Sequence, residues 1–194
     1  MRAERVAGAV ALATAWLVAA SHAAAQPRSE LVAACTACHG PGGNSQTASV
    51  PSLAGQPKLF IENQLVLIRE GLREVAAMRE SMSGVTDETI VALATHFAAQ
   101  PPAPKPVQTD TDKARRGEAT AHRMLCGTCH LPDYTGQKQV PRLAGQDEGY
   151  LLQAMKQLRD APGPGRDTIM AAALYGLTDA VLADLAHYFA GLKP

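Results

Sequence analysis

The sequence predicts an all-α protein of two tandem domains, each of about three helices plus loops. Three observations carry the prediction. The chain matches itself at an offset of about 91 residues, the separation of Cys35 from Cys126 and of His39 from His130. Two long copies argue duplicated domains, because solenoid repeats are shorter and more numerous. Apolar residues recur at helical spacing within each copy, and no alternating β-branched run is long enough for a sheet. Between the copies, Gln100-Pro101-Pro102-Ala103-Pro104-Lys105-Pro106 cannot continue a helix and favours a stiff extended linker. The organisation read from this is a leader at 1–25, domains at 26–100 and 110–194, and a linker at 101–109.

The leader comes first. Arg2 and Arg5 precede an apolar run from Val6 to Ala20, and Ala23-Ala24-Ala25 offers a small-x-small cleavage site before Gln26. This pattern is that of a secretory signal peptide, implying export to the periplasm. The run is about 15 residues, short of the ~20 that a spanning helix needs, although an uncleaved N-terminal anchor is the alternative. Removing 1–25 leaves 16 basic and 17 acidic residues, a formal charge of −1. Near-neutrality excludes a strongly basic nucleic-acid binder. Only 4% of the residues are aromatic, while 16 are Gly and 13 are Pro. Domains of this size would therefore bury a thin core unless something else fills it.

Helices follow in matching order. A short helix leads into each cysteine pair, around Ser29 to Cys38 and Lys113 to Cys129. The apolar set Leu59, Phe60, Leu65, Val66, Leu67 and Ile68 predicts a second, with Tyr150 to Leu158 as its counterpart. A last helix starts at Thr86-Asp87-Glu88 and its twin at Thr178-Asp179, where Thr caps and the acids favour the positive helix end. Pro51-Ser52-Leu53-Ala54-Gly55-Gln56 repeats as Pro141-Arg142-Leu143-Ala144-Gly145-Gln146.

The chemistry lies in Cys35-Thr36-Ala37-Cys38-His39 and Cys126-Gly127-Thr128-Cys129-His130. Cys-x-x-Cys-His is the attachment signature of c-type haem. Residues three apart share a helix face, so both thiols reach one porphyrin, and the adjoining His offers a nitrogen to the iron. The other readings fare worse. A Cys-x-x-Cys disulfide is strained and reducible. The two pairs lie too far apart in sequence for a zinc knuckle, and no βαβ pattern supports a thioredoxin-like site. None explains a His in the same place twice. Two haem c groups would also fill the thin core.

Methionine is the usual partner of His where the task is electron transfer. In the second copy Met170 is the one placed far enough downstream, Met155 falling inside a helix as core filler. In the first copy Met78 and Met82 both qualify. Register favours Met78, which precedes Thr86 by the same eight residues that separate Met170 from Thr178. Met82 aligns with Leu174, a packing position. His96, His122 and His187 have no counterparts and read as surface or hydrogen-bonded histidines. Pro51 and Pro141 are candidates to offer a carbonyl to the ligand imidazole, or else they merely shape the loop.

The signal peptide, the two Cys-x-x-Cys-His copies, Pro-x-Leu-Ala-Gly-Gln after each, a Met eight before each Thr-Asp helix start, and helices ending Thr95-His96-Phe97-Ala98 and Ala186-His187-Tyr188-Phe189-Ala190 together resemble the dihaem cytochrome c4 family. The resemblance covers essentially the whole mature chain. It implies two class I cytochrome c folds, each around one covalently bound haem c. On it Cys35, Cys38, Cys126 and Cys129 attach haem, and His39, Met78, His130 and Met170 ligate iron. It further implies a periplasmic shuttle, often at the membrane surface, between a quinol-oxidising donor and a terminal haem-copper oxidase. The Pro162-Gly163-Pro164-Gly165 loop before Met170 departs from the family pattern.

Two other functions compete. One is the electron-accepting subunit of a periplasmic dehydrogenase. The other is an enzyme acting on a small substrate, which needs an open iron position; two His/Met pairs leave none, so a non-enzyme carrier is expected. Residues 26–100 carry five basic and seven acidic side chains against ten of each in 110–194, an asymmetry that suggests different docking partners for the two halves.

Overall fold

The computed structural model describes residues 26–108 and 110–194; the proposed signal peptide lies outside them. Among the described residues the architecture is helical without strands, the one ladder-like pairing being an isolated bridge between Gln137 and Val140. The first half contains α1 (Gln26–His39), α2 (Lys58–Arg69), α3 (Arg79–Met82) and α4 (Asp87–Ala98), with 3-10 turns at Pro41–Gly43 and Ala76–Met78. The second contains α5 (Thr111–Arg123), α6 (Cys126–His130), α7 (Glu148–Asp160), α8 (Thr168–Leu174) and α9 (Asp179–Gly191). Each half thus has three long helices, as expected, plus short helical turns that the periodicity did not disclose.

Local chemistry sets these boundaries. Thr86 Oγ1 accepts the Thr89 amide and Thr178 Oγ1 the Val181 amide, so both predicted caps form. Asp167 caps α8 by accepting the Met170 amide at 2.8 Å. The helix expected to run from Lys113 through Cys129 is instead broken. Leu125 takes the left-handed conformation at φ 57 and is 70% exposed, dividing α5 from α6. In the first copy α1 continues unbroken through the cysteines.

Packing is unequal between the halves. The second has a single core in which Ala121, Leu151, Met155, Leu174, Leu182, Leu185, Ala186 and Phe189 meet. In the first, Ile61, Leu93, Ala94 and Phe97 form one cluster beside Cys35, and Ile68, Met82 and Ile90 form another beside Met78, with Leu65 against both.

The loops that follow the cysteine motifs are near-copies. Gly55 and Gly145, both at φ 64, donate their amides to the Phe97 and Phe189 carbonyls at 3.1 and 2.9 Å. A Cβ on either would press on a proline, Pro102 or Pro194, so glycine is required twice for one reason. Asn44 holds the linker against the first half, donating to the Pro101 carbonyl and accepting the Ala103 amide.

These same loops join the halves. Gln56 Nε2 donates to the Arg142 carbonyl at 3.0 Å while its Oε1 accepts the Arg142 amide at 2.9 Å. Gln146 does the same to Ser52, at 2.9 and 2.7 Å. Since Ser52 aligns with Arg142 and Gln56 with Gln146, the contacts are exchanged as in a twofold-symmetric interface. Asp147 adds a bond from the Ser49 amide and an ion pair with Lys105 at 2.6 Å. Arg142 departs from the symmetry: its buried guanidinium donates to the carbonyls of Ala144 and Ala54. Burial pushes its pKa down to about 10, so it remains a cation at neutral pH. Arg142→Ala leaves both carbonyls without their donor, and we expect a loss of about 1–3 kcal/mol in denaturant unfolding; an unchanged midpoint would contradict the role given to this side chain.

Candidate haem sites

His39 ends α1 and His130 ends α6, and both are buried. His39 Nδ1 lies 2.8 Å from the Pro51 carbonyl and His130 Nδ1 lies 2.9 Å from that of Pro141. A carbonyl only accepts, so Nδ1 carries the hydrogen and Nε2 is the nitrogen with a lone pair. Of the two roles the sequence left open for these prolines, the carbonyl role is the one realised. Burial pushes both imidazoles below their ordinary pKa, against the proline carbonyls and, at His130, the charge of Asp167. A neutral ring with a free Nε2 is what an iron ligand requires.

Cys35 and Cys38 sit on α1, and Cys126 and Cys129 on α6, none of them in a disulfide. Cys35 and Cys126 are half-buried while Cys38 and Cys129 are exposed. Burial raises the thiol pKa of Cys35 and of Cys126. The donor chemistry therefore fits a c-type haem: two thiols one helical turn apart, then an oriented neutral imidazole.

The methionines divide clearly. Met78 is half-buried at the end of the Ala76–Met78 turn and Met170 half-buried in α8. Met82 is 2% exposed, inside the Ile68–Ile90 cluster, and its aligned partner Leu174 is 5% exposed in the second core. Met155 is core, as expected. His187 is buried and satisfied, with Glu148 on Nδ1 at 3.2 Å and the Asp110 amide on Nε2 at 3.2 Å. Sequence reasoning missed Ser52, Gln56, Arg142 and Gln146 as joining residues. Their signal was present: a polar Gln repeated in register within an otherwise apolar Leu-Ala-Gly-Gln segment needs a partner when buried.

Comparison with known proteins points to the cytochromes c. The family model described as cytochrome C oxidase, cbb3-type, subunit III, matches residues 22–96, and that for cytochrome c matches 114–193. A cytochrome c4 of Thiocapsa roseopersicina is 32% identical over 171 residues, covering 82% of this chain and 87% of that protein. A protein named thiosulfate dehydrogenase electron acceptor, from Thiomonas intermedia (strain K12), is 32% identical over 186 residues, covering 90% and 84% respectively. The crystal structure of reduced recombinant cytochrome c4 from Pseudomonas stutzeri superposes with a TM-score of 0.78 at 28% identity, covering 87% of this chain and 98% of that one. With this likeness along nearly its whole length and two haem-binding halves, the chain belongs to the dihaem cytochrome c4 family, an electron-transfer family with two covalently bound haem c groups.

Proposed function

We propose that this protein is a periplasmic electron shuttle in which Cys35 and Cys38 attach one haem c, Cys126 and Cys129 attach the other, and His39 with Met78 and His130 with Met170 hold the two irons. One arrangement carries the reading. The loops whose proline carbonyls orient the two imidazoles are the loops that meet across the boundary between the halves. The parts that orient the two irons are thus fixed to each other, as electron exchange between them requires. When bound, each haem supplies a one-electron iron couple. The chain's task is to keep ligand geometry constant, exclude water from the imidazoles and hold the halves together. A His and a Met from each half would hold each iron and leave it no place for a substrate, which supports a carrier rather than an enzyme.

The proposed donor is a quinol-oxidising complex and the acceptor a terminal haem-copper oxidase. A second reading is favoured by the Thiomonas relative, whose name makes it the acceptor of a thiosulfate dehydrogenase: here the donor is a periplasmic dehydrogenase and the outlet unchanged. Both are tested by mixing the reduced holoprotein with oxidase-containing membranes and the oxidised form with thiosulfate dehydrogenase. Cyanide-sensitive oxidation by the membranes is expected. Stoichiometric co-purification with a flavin- or molybdenum-containing partner would sink the free-shuttle reading. Rapid cyanide or carbon monoxide binding by the isolated protein would sink the carrier reading as a whole.

A further inference from the structure

The peptide group joining Pro51 to Ser52 is engaged at both ends. Its carbonyl takes the hydrogen of His39 Nδ1 at 2.8 Å, and its N–H donates to Gln146 Oε1 of the other half at 2.7 Å. The Pro141–Arg142 peptide repeats the arrangement: its carbonyl takes the hydrogen of His130 Nδ1 at 2.9 Å, and its N–H donates to Gln56 Oε1 at 2.9 Å. Nitrogen and oxygen of one amide are conjugated, so donation at the nitrogen makes the oxygen a better acceptor. Ser52, Gln56, Arg142 and Gln146 are all buried, where hydrogen bonds polarise one another most strongly.

We infer that each glutamine tunes the ligand imidazole of the opposite domain through one peptide group, Gln146 acting on His39 and Gln56 on His130. The inference rests on the iron-ligand roles proposed above for the two histidines. A more basic carbonyl draws the Nδ1 hydrogen outward and gives the ring more imidazolate character, which favours oxidised iron. Both glutamines are positioning residues, and each domain thereby sets part of its neighbour's redox poise. Docking of the halves and tuning of the irons become one event.

The test uses Q146M and Q56M in the full-length holoprotein, since methionine has nearly the same length and no amide. The readouts are the reduction equilibrium of each haem by spectroelectrochemistry and the Nδ1–H resonances of His39 and His130 in the fully reduced, diamagnetic protein. Q146M is expected to shift the first-domain haem toward the reduced state, on the order of two- to fourfold in its equilibrium constant. It should move the His39 resonance and leave that of His130 in place. Q56M should give the mirror image. A shift confined to the glutamine's own domain, an equal shift of both haems in each variant, or no shift overturns the inference. If Q146M does not accumulate as holoprotein, Q146N, which falls short of Ser52 but stays polar, reads the same resonances. A wild-type spectrum lacking two six-coordinate low-spin haems sinks the ligand assignment itself, whereas two such haems with no crosswise shift sink only the tuning.

Discussion

Met78→Ala is expected to abolish the methionine-to-iron charge-transfer band of one haem and leave the other's intact. Met82→Ala is expected to keep both bands and to lower stability by about 2–5 kcal/mol. The two residues are one helical turn apart, and the structure separates their surroundings. Met82 is 2% exposed between Ile68 and Ile90, so truncation there empties a closed site, and the loss is a cavity as well as a transfer term. Its aligned residue, Leu174, fills the equivalent place in the second domain without a sulfur. Met78 borders the same cluster from a 3-10 turn while retaining partial exposure, which suits a side chain whose sulfur is to reach a group outside the packed residues. Met170→Ala should mirror Met78→Ala in the other domain. The band read together with denaturant unfolding gives a two-way test: loss of the band in Met82→Ala, with retention in Met78→Ala, would reverse the assignment.

What was readable in the sequence was whatever has a local cause. Thr86 and Thr178 cap because a hydroxyl reaches an amide three residues on, and Cys-x-x-Cys-His is set by a single helical turn. The break at Leu125 was not readable, because a leucine at positive φ is disfavoured intrinsically and is held there by surrounding structure. Helix α8 also went unread, although Asp167 is an ordinary cap, since seven residues carry too little periodicity to stand out beside the Pro-Gly loop before them. The bonds from Gln56 to Arg142 and from Gln146 to Ser52 span 86 and 94 residues. The Leu-Ala-Gly-Gln repeat made these residues visible as a pair of motifs, but only the folded chain shows that each motif completes the other.

Gly117→Val is expected to destabilise the second domain by about 3 kcal/mol or more. For a domain of this size that is a fall in melting temperature of roughly 12 °C or more. Gly117 lies inside α5, where glycine costs about 1 kcal/mol relative to alanine. A Cβ at this position would run into the backbone of Asp184 and the Cβ of Tyr188 on α9. Backbone in the middle of a helix cannot swing aside as a flexible side-chain tip can, so the two helices would have to separate. Separation would loosen Ala121, Leu185, Ala186 and Phe189 together, which belong to the one core of this domain. The neighbouring ion pair gives a contrast on the same crossing. Arg116 donates to both carboxylate oxygens of Asp184 at 2.7 and 2.8 Å, with the Arg116 side chain 56% exposed and that of Asp184 13% exposed, so water screens the guanidinium end of the pair. Arg116→Ala should therefore lower the unfolding midpoint less than Gly117→Val does. The clusters of the first domain share no residue with this crossing, so the first domain should unfold as before. Gly117→Ala separates the two terms at this site: helix propensity alone predicts a gain, and the crossing predicts a loss. A more stable Gly117→Ala protein would mean that the α5–α9 contact yields, and that packing of this pair does not limit the stability of the domain.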